Sequence, residues 1–194
     1  MGGNRGNGGG RRGSRWRIAA WAAAALILLL PLVAMQFTDE VNWDVADFAL
    51  FGALLIGVGV PYELAVRTTG DNAYRAAVGV ALAAAFILVW VNGAVGIIGS
   101  EDNPANLMYG GVLAVGIIGA IIGRFQPHGM ARALFATALA QALVAVIALI
   151  AGLGSPWSGP VEIVALNGFF VTLFVGSALL FQKAARGRPE RGAV

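Results

Sequence analysis

Glu63 is the acid most out of place in this sequence. It lies within an apolar run, LLIGVGVPYELAV, whereas most other acids gather in short polar stretches or at the ends of such runs. An ionisable side chain at membrane depth is costly to bury, which makes it a candidate carrier of a proton or ion. Arg67 follows four residues later, in the Glu-before-Arg order that suits an i,i+4 ion pair, and such a pair can reach the membrane interface. Of the two readings, proton carrier and structural pair with Arg67, the pair is the plainer. Pro61, two residues before Glu63, is expected to kink the helix that holds both.

A second group could bind rather than react. Asp47, Asn92, Asn106, Glu162 and Asn167 fall near one end of four different apolar runs, beside the loop SEDNPAN (Ser100 to Asn106). If they converge, they form a polar outward-facing vestibule for a cation or small polar ligand. Hydrogen bonding between helices accounts equally well for the asparagines, and helix capping for the acids. Thr137 and Gln141 are the clearly polar residues at the middle of the fifth run, too few to line a water-filled channel. His128, in the turn QPHG between Arg124 and Arg132, can titrate near neutrality, although a solvated turn histidine is the simpler reading.

Catalysis has less to work with. There is no cysteine, which excludes disulfides, thiolate metal sites and cysteine nucleophiles, and a single histidine excludes bis-histidine haem ligation. No HExxH, GxSxG or phosphate-binding loop is present. An enzyme reading would rest on Glu63 with Tyr62, or on Asp47 with Glu101 and Asp102 around a divalent ion. No metal and no cofactor is expected.

The elements that must position these residues are membrane helices. Of 194 residues 58% are hydrophobic and 12% charged, against roughly a quarter charged in a soluble domain. The apolar residues run in long blocks rather than the short alternating stretches of an outer-membrane barrel. Six spans are expected, at about 17–37, 47–66, 73–99, 105–123, 130–152 and 160–182. Each is near the length needed to cross about 30 Å of hydrocarbon at about 1.5 Å per residue. Together they make an all-α bundle over 16–183, between a disordered Gly/Arg-rich tail (1–15) and a basic tail (184–194). The first span reads as an uncleaved signal anchor, too long for a signal peptide and without a cleavage site after it.

Loop charge sets the orientation. All 13 Lys and Arg residues fall before the first span, around the second and fourth loops, or in the C-terminal tail, while the alternate loops carry acids only. By the positive-inside rule both termini are cytoplasmic, in the inner membrane of a bacterium. The sequence pI near 10.0 therefore reflects topology rather than a nucleic-acid patch, and no nucleic-acid partner is expected. Trp43, Tyr109 and Trp157 mark the outer boundary and Trp16, Tyr62 and Tyr74 the inner one.

Spans two and three align with spans four and five: Gly52 with Gly111, Gly57 with Gly116, Arg67 with Arg124, Arg75 with Arg132. That pattern suggests a parallel duplication of a two-helix hairpin. Gly119 and Gly123 form a GxxxG, and Gly52, Gly57 and Gly59 punctuate span two, so close helix packing is expected.

The segments DFALFGALLIGVGVPYEL, AYRAAVGVALAAA and WVNGAVGIIGSEDNPANLMY, within Asp47 to Leu153, resemble a family of uncharacterised small bacterial polytopic inner-membrane proteins. The resemblance covers a little over half the chain and implies a location and a fold class, with no activity or catalytic residue attached. The expected function is a non-catalytic bundle, an accessory or interaction subunit. Its partners are the lipid bilayer and either other membrane helices or further copies in a homo-oligomer. The alternatives are a small-solute or ion transporter using the vestibule, and a membrane-embedded enzyme.

Overall fold

The computed structural model describes residues 9–38 and 41–187, with side chains from Arg17 onward. The expected glycine-rich tail over 1–8, the loop acids Asp39 and Glu40, the Trp16 side chain and the tail arginines Arg188 and Arg191 lie outside the described residues. Among the described residues there is no strand. The elements are α1 (Gly9–Ala34), α2 (Val45–Thr68), α3 (Asn72–Ala94), a 3₁₀ turn (Pro104–Leu107) leading into α4 (Met108–Ile122), α5 (Pro127–Ile150) and α6 (Pro160–Arg186). All six long helices are apolar enough to cross a membrane, with α4 reaching the length by including the 3₁₀ turn. The protein is a multi-pass helical membrane protein.

Two boundaries differ from expectation by five residues or more. Helix α1 begins at Gly9, inside the segment expected to lack order. Helix α2 continues through Pro61, as its expected span does. Helix α3 ends at Ala94, five residues short of Gly99, for reasons that bear on the site.

The chain divides between Pro61 and Tyr62, inside α2, into two compact units. In the first, α2 opens on a reciprocal cap. Asp44 Oδ1 accepts the amides of Ala46 (2.7 Å) and Asp47 (2.9 Å), while Asp47 Oδ2 accepts the amide of Asp44 (2.9 Å). Trp43 lies edge-on to Phe48 and Phe51 beside this cap. A Cβ on Gly52 would touch Leu28, and one on Gly59 would come within 2.8 Å of Trp21, an antiparallel register of α1 on α2.

In the second unit α6 packs against both α3 and α5, and α4 packs against α5. The core is built of large rings set among alanines: Tyr109, Phe170, Phe174 and Phe181 are buried together with Ala77, Ala84, Ala148 and Ala178. Small residues let α4 and α5 approach closely. A Cβ on Gly119 would lie 2.7 Å from Ala133 Cβ, and one on Gly123 would lie 2.8 Å from the Gly129 backbone. The GxxxG motif is thus used within the chain. The outward faces are apolar, with Ile122 76%, Leu139 72% and Ile150 84% exposed, a pattern suited to lipid rather than water.

The positions paired in the proposed duplication have different surroundings. Gly116 abuts Thr137 whereas Gly57 has nothing within 4 Å, and Arg75 binds carbonyls at the end of α2 whereas Arg132 lines a cleft.

Candidate functional site

Two of the five vestibule residues meet around a buried loop. After Ala94 the chain turns through Gly96 and Gly99, at φ +71° and +73°, a conformation costly for any residue with a Cβ. At Gly96 a side chain would also collide with the Ser100 carbonyl. Between these glycines Ile97 and Ile98 are driven into the core and are fully buried. Burying that backbone leaves two amides in need of acceptors, since neither belongs to a helix. Asn106 supplies one oxygen for both: Oδ1 accepts from Ile97 at 3.2 Å and from Ile98 at 3.0 Å, and Nδ2 donates to Ser100 O at 2.7 Å. Asn92 Nδ2 donates, more weakly at 3.4 Å, to the Asn106 carbonyl.

The same loop is tied to the α5–α6 connection. Asn103 caps the 3₁₀ turn through the Ala105 amide and donates from Nδ2 to Leu153 O at 2.9 Å. The Gly99 amide donates to Ser158 Oγ at 3.0 Å. The SEDNPAN segment is therefore folded down as a fastened cap on that end of α3–α6.

Asn167 belongs to a separate network deeper in the bundle. Its Oδ1 accepts from Tyr109 Oη at 3.1 Å and from Gln141 Nε2 at 2.9 Å, and its Nδ2 donates to Ile163 O at 2.8 Å. Helices α4, α5 and α6 are joined at one amide. Gln141 Oε1 and Asn92 Oδ1 are buried acceptors without a hydrogen-bond partner among the described residues. Glu162 is exposed in the first turn of α6, where an acid suits the positive end of the helix. Asp47 is exposed and engaged with Asp44 in the cap described above. The five residues are thus spread over a loop clasp, a three-helix network, a cap in the other unit and an exposed helix start.

At the opposite end of this unit Tyr74 Oη donates to Phe125 O at 2.8 Å, and its ring lies edge-on to Phe181, joining α3, the α4–α5 turn and the end of α6. Arg67 donates to Glu63 Oε1 at 2.6 Å, with the arginine mostly exposed. Thr137 Oγ1 donates back to Ala133 O. His128, with Arg132 and Arg186, borders a cleft at the start of α5. Among the described residues no three His, Cys, Asp or Glu side chains gather to hold a metal ion.

Sequence reasoning missed the buried Ile97–Ile98 segment, the Ser158 contact, and Ser177, whose hydroxyl donates to Ala77 O at 2.7 Å and joins α6 to α3. The spacing Gly96–Gly99 ahead of an asparagine-rich stretch was the available signal for the first. The other two depend on partners 59 and 100 residues away.

These features define a helical membrane bundle whose buried polar groups act mainly on each other and on backbone. No family model, curated protein or solved structure matches the chain.

Proposed function

We propose that the protein is a non-catalytic, multi-pass component of a bacterial cytoplasmic membrane, with both termini in the cytoplasm, serving as an accessory or interaction subunit. One observation carries this reading: Asn106 and Asn167, the buried residues best placed to handle a ligand, spend their hydrogen bonds on loop amides and neighbouring helices. The one-sided distribution of Lys and Arg supports the orientation. The resemblance of GIIGSEDNPANLMY to small bacterial inner-membrane proteins supports the location.

A second reading, transport of a small solute or ion, is favoured by the buried, unpartnered Gln141 Oε1 at the middle of α5. The two separate by experiment. Glu63→Gln and Asn92→Leu are expected to leave complex size on native gels and the host phenotype unchanged. Loss of phenotype with the complex intact would overturn the scaffold reading in favour of transport. Reporter fusions at either terminus that work only outside the cytoplasm would overturn the orientation.

A further inference from the structure

Helix α5 begins where α6 ends, and between them opens a cleft of about 300 Å³ lined by His128, Ala131, Arg132, Phe135, Gln182 and Arg186. Arg132 and Arg186 are exposed and have no ion-pair partner among the described residues. The described carboxylates of the basic end are engaged elsewhere: Glu63 with Arg67, and Asp71 with the first amides of α3. Two guanidinium groups without a counter-charge among the described residues, beside a histidine and a carboxamide, make a mouth that attracts an anion. Their planar donor forks match phosphate oxygens in particular.

The walls below the mouth are apolar. Phe135 closes the cleft one turn beyond Arg132, and Leu139, on the same face a turn further, is 72% exposed. On α6, Leu179 lies about one turn before Gln182 and is 52% exposed. An apolar track therefore leads from the cationic mouth along the membrane span. Free phosphate has no use for that track, whereas a phospholipid fills both parts, its phosphate on the arginines and an acyl chain beside Phe135 and Leu139.

We infer that this cleft is a binding site for the phosphate headgroup of an anionic phospholipid of the phosphatidylglycerol type. The inference goes beyond the scaffold reading and rests only on the chain lying in a membrane.

The test uses the full chain purified in neutral detergent. Phosphatidylglycerol, phosphatidylcholine or inorganic phosphate is added separately, and bound lipid is read by native mass spectrometry alongside the thermal midpoint. Phosphatidylglycerol is expected to be retained and to raise the midpoint, and the other two to do neither. An arginine at an anionic surface is worth about fivefold in affinity, so Arg132→Gln with Arg186→Gln should weaken phosphatidylglycerol binding about twenty-five-fold. The midpoint without lipid should stay unchanged. Arg132→Lys with Arg186→Lys should retain most of the binding, which guards against a folding defect in the glutamine variant. Equal retention of phosphatidylcholine, or undiminished phosphatidylglycerol binding by a folded glutamine variant, would overturn the site. A full shift with inorganic phosphate alone would overturn the lipid assignment.

Discussion

The side-chain oxygen of Asn106 accepts the amide of Ile98 at 3.0 Å, eight residues away in sequence and outside any helical hydrogen-bond pattern. The two residues stand on opposite sides of a loop that would otherwise bury unsatisfied backbone in an apolar core. Because the same oxygen also takes the Ile97 amide, one carboxamide permits two fully buried isoleucines to occupy the end of the bundle. The consequence is a loop folded into the core, with the Asn106 carboxamide spent on its backbone.

Replacing Asn106 by Leu should therefore be costly even though the volume is nearly kept. Each buried donor left without an acceptor costs about 1–3 kcal/mol, so the loss of stability should reach at least about 2 kcal/mol. The thermal midpoint in detergent should fall, and the Ile97 and Ile98 amides should lose their protection from hydrogen exchange. Unchanged protection at both amides would refute the clasp.

Asn167 and Gln141 should respond unequally. Asn167→Leu strands the Tyr109 hydroxyl and the Gln141 amide donor together, a loss of about 2 kcal/mol or more. Gln141→Leu removes one donor along with the unpartnered Oε1, and should be nearly neutral. A double-mutant cycle in detergent measures the coupling, and the double variant should be more stable than the sum of the single losses predicts.

Much of this was legible in sequence because lipid imposes simple rules. Apolar blocks of sufficient length, and Asn103-Pro104 or Gly159-Pro160 at helix starts, locate most helix ends to within a few residues, the start of α1 and the end of α3 excepted. Sequence places the end of α3 too late because VGIIG is as apolar as a span, and hydropathy does not distinguish a buried loop from a helix. Only the left-handed backbone at Gly96 and Gly99, and the distant carboxamide that makes it tolerable, decide the matter. Whether the vestibule residues face one another is not legible in sequence for a related reason. Residues near one end of several spans share a depth, but depth does not specify which way each helix turns its side chain. Asn167 faces Tyr109 and Gln141 while Glu162, five residues earlier, is exposed.

Glycines in α4 should divide sharply by position. Gly119→Ala places a methyl 2.7 Å from Ala133 Cβ, and overpacking of this kind costs about 1–3 kcal/mol. Gly110 and Gly111 have nothing within 4 Å, so alanine there should be neutral or stabilising by about 0.4–1 kcal/mol through the unfolded chain. Equal midpoints for Gly119→Ala and Gly111→Ala would show that α4 and α5 do not meet at this face.

Arg75 and Arg132, paired in the sequence alignment of the two hairpins, should behave as unrelated residues. Arg75 donates from Nε to Thr69 O and from Nη2 to Val66 O, both at 2.8 Å, satisfying carbonyls that the end of α2 leaves without helical partners. Hydrogen bonds from a charged donor contribute about 1.5–3 kcal/mol, so Arg75→Ala should destabilise the protein by about that amount and speed amide exchange over the last turn of α2. Lysine, with a single ammonium in place of the fork, should recover only part of the loss. Arg132 has no such bonds among the described residues, and Arg132→Ala should leave both stability and exchange at the start of α5 unchanged in lipid-free detergent. Matching losses at the two positions would mean that they still do the same structural work, and the differences between their surroundings would then lose their significance.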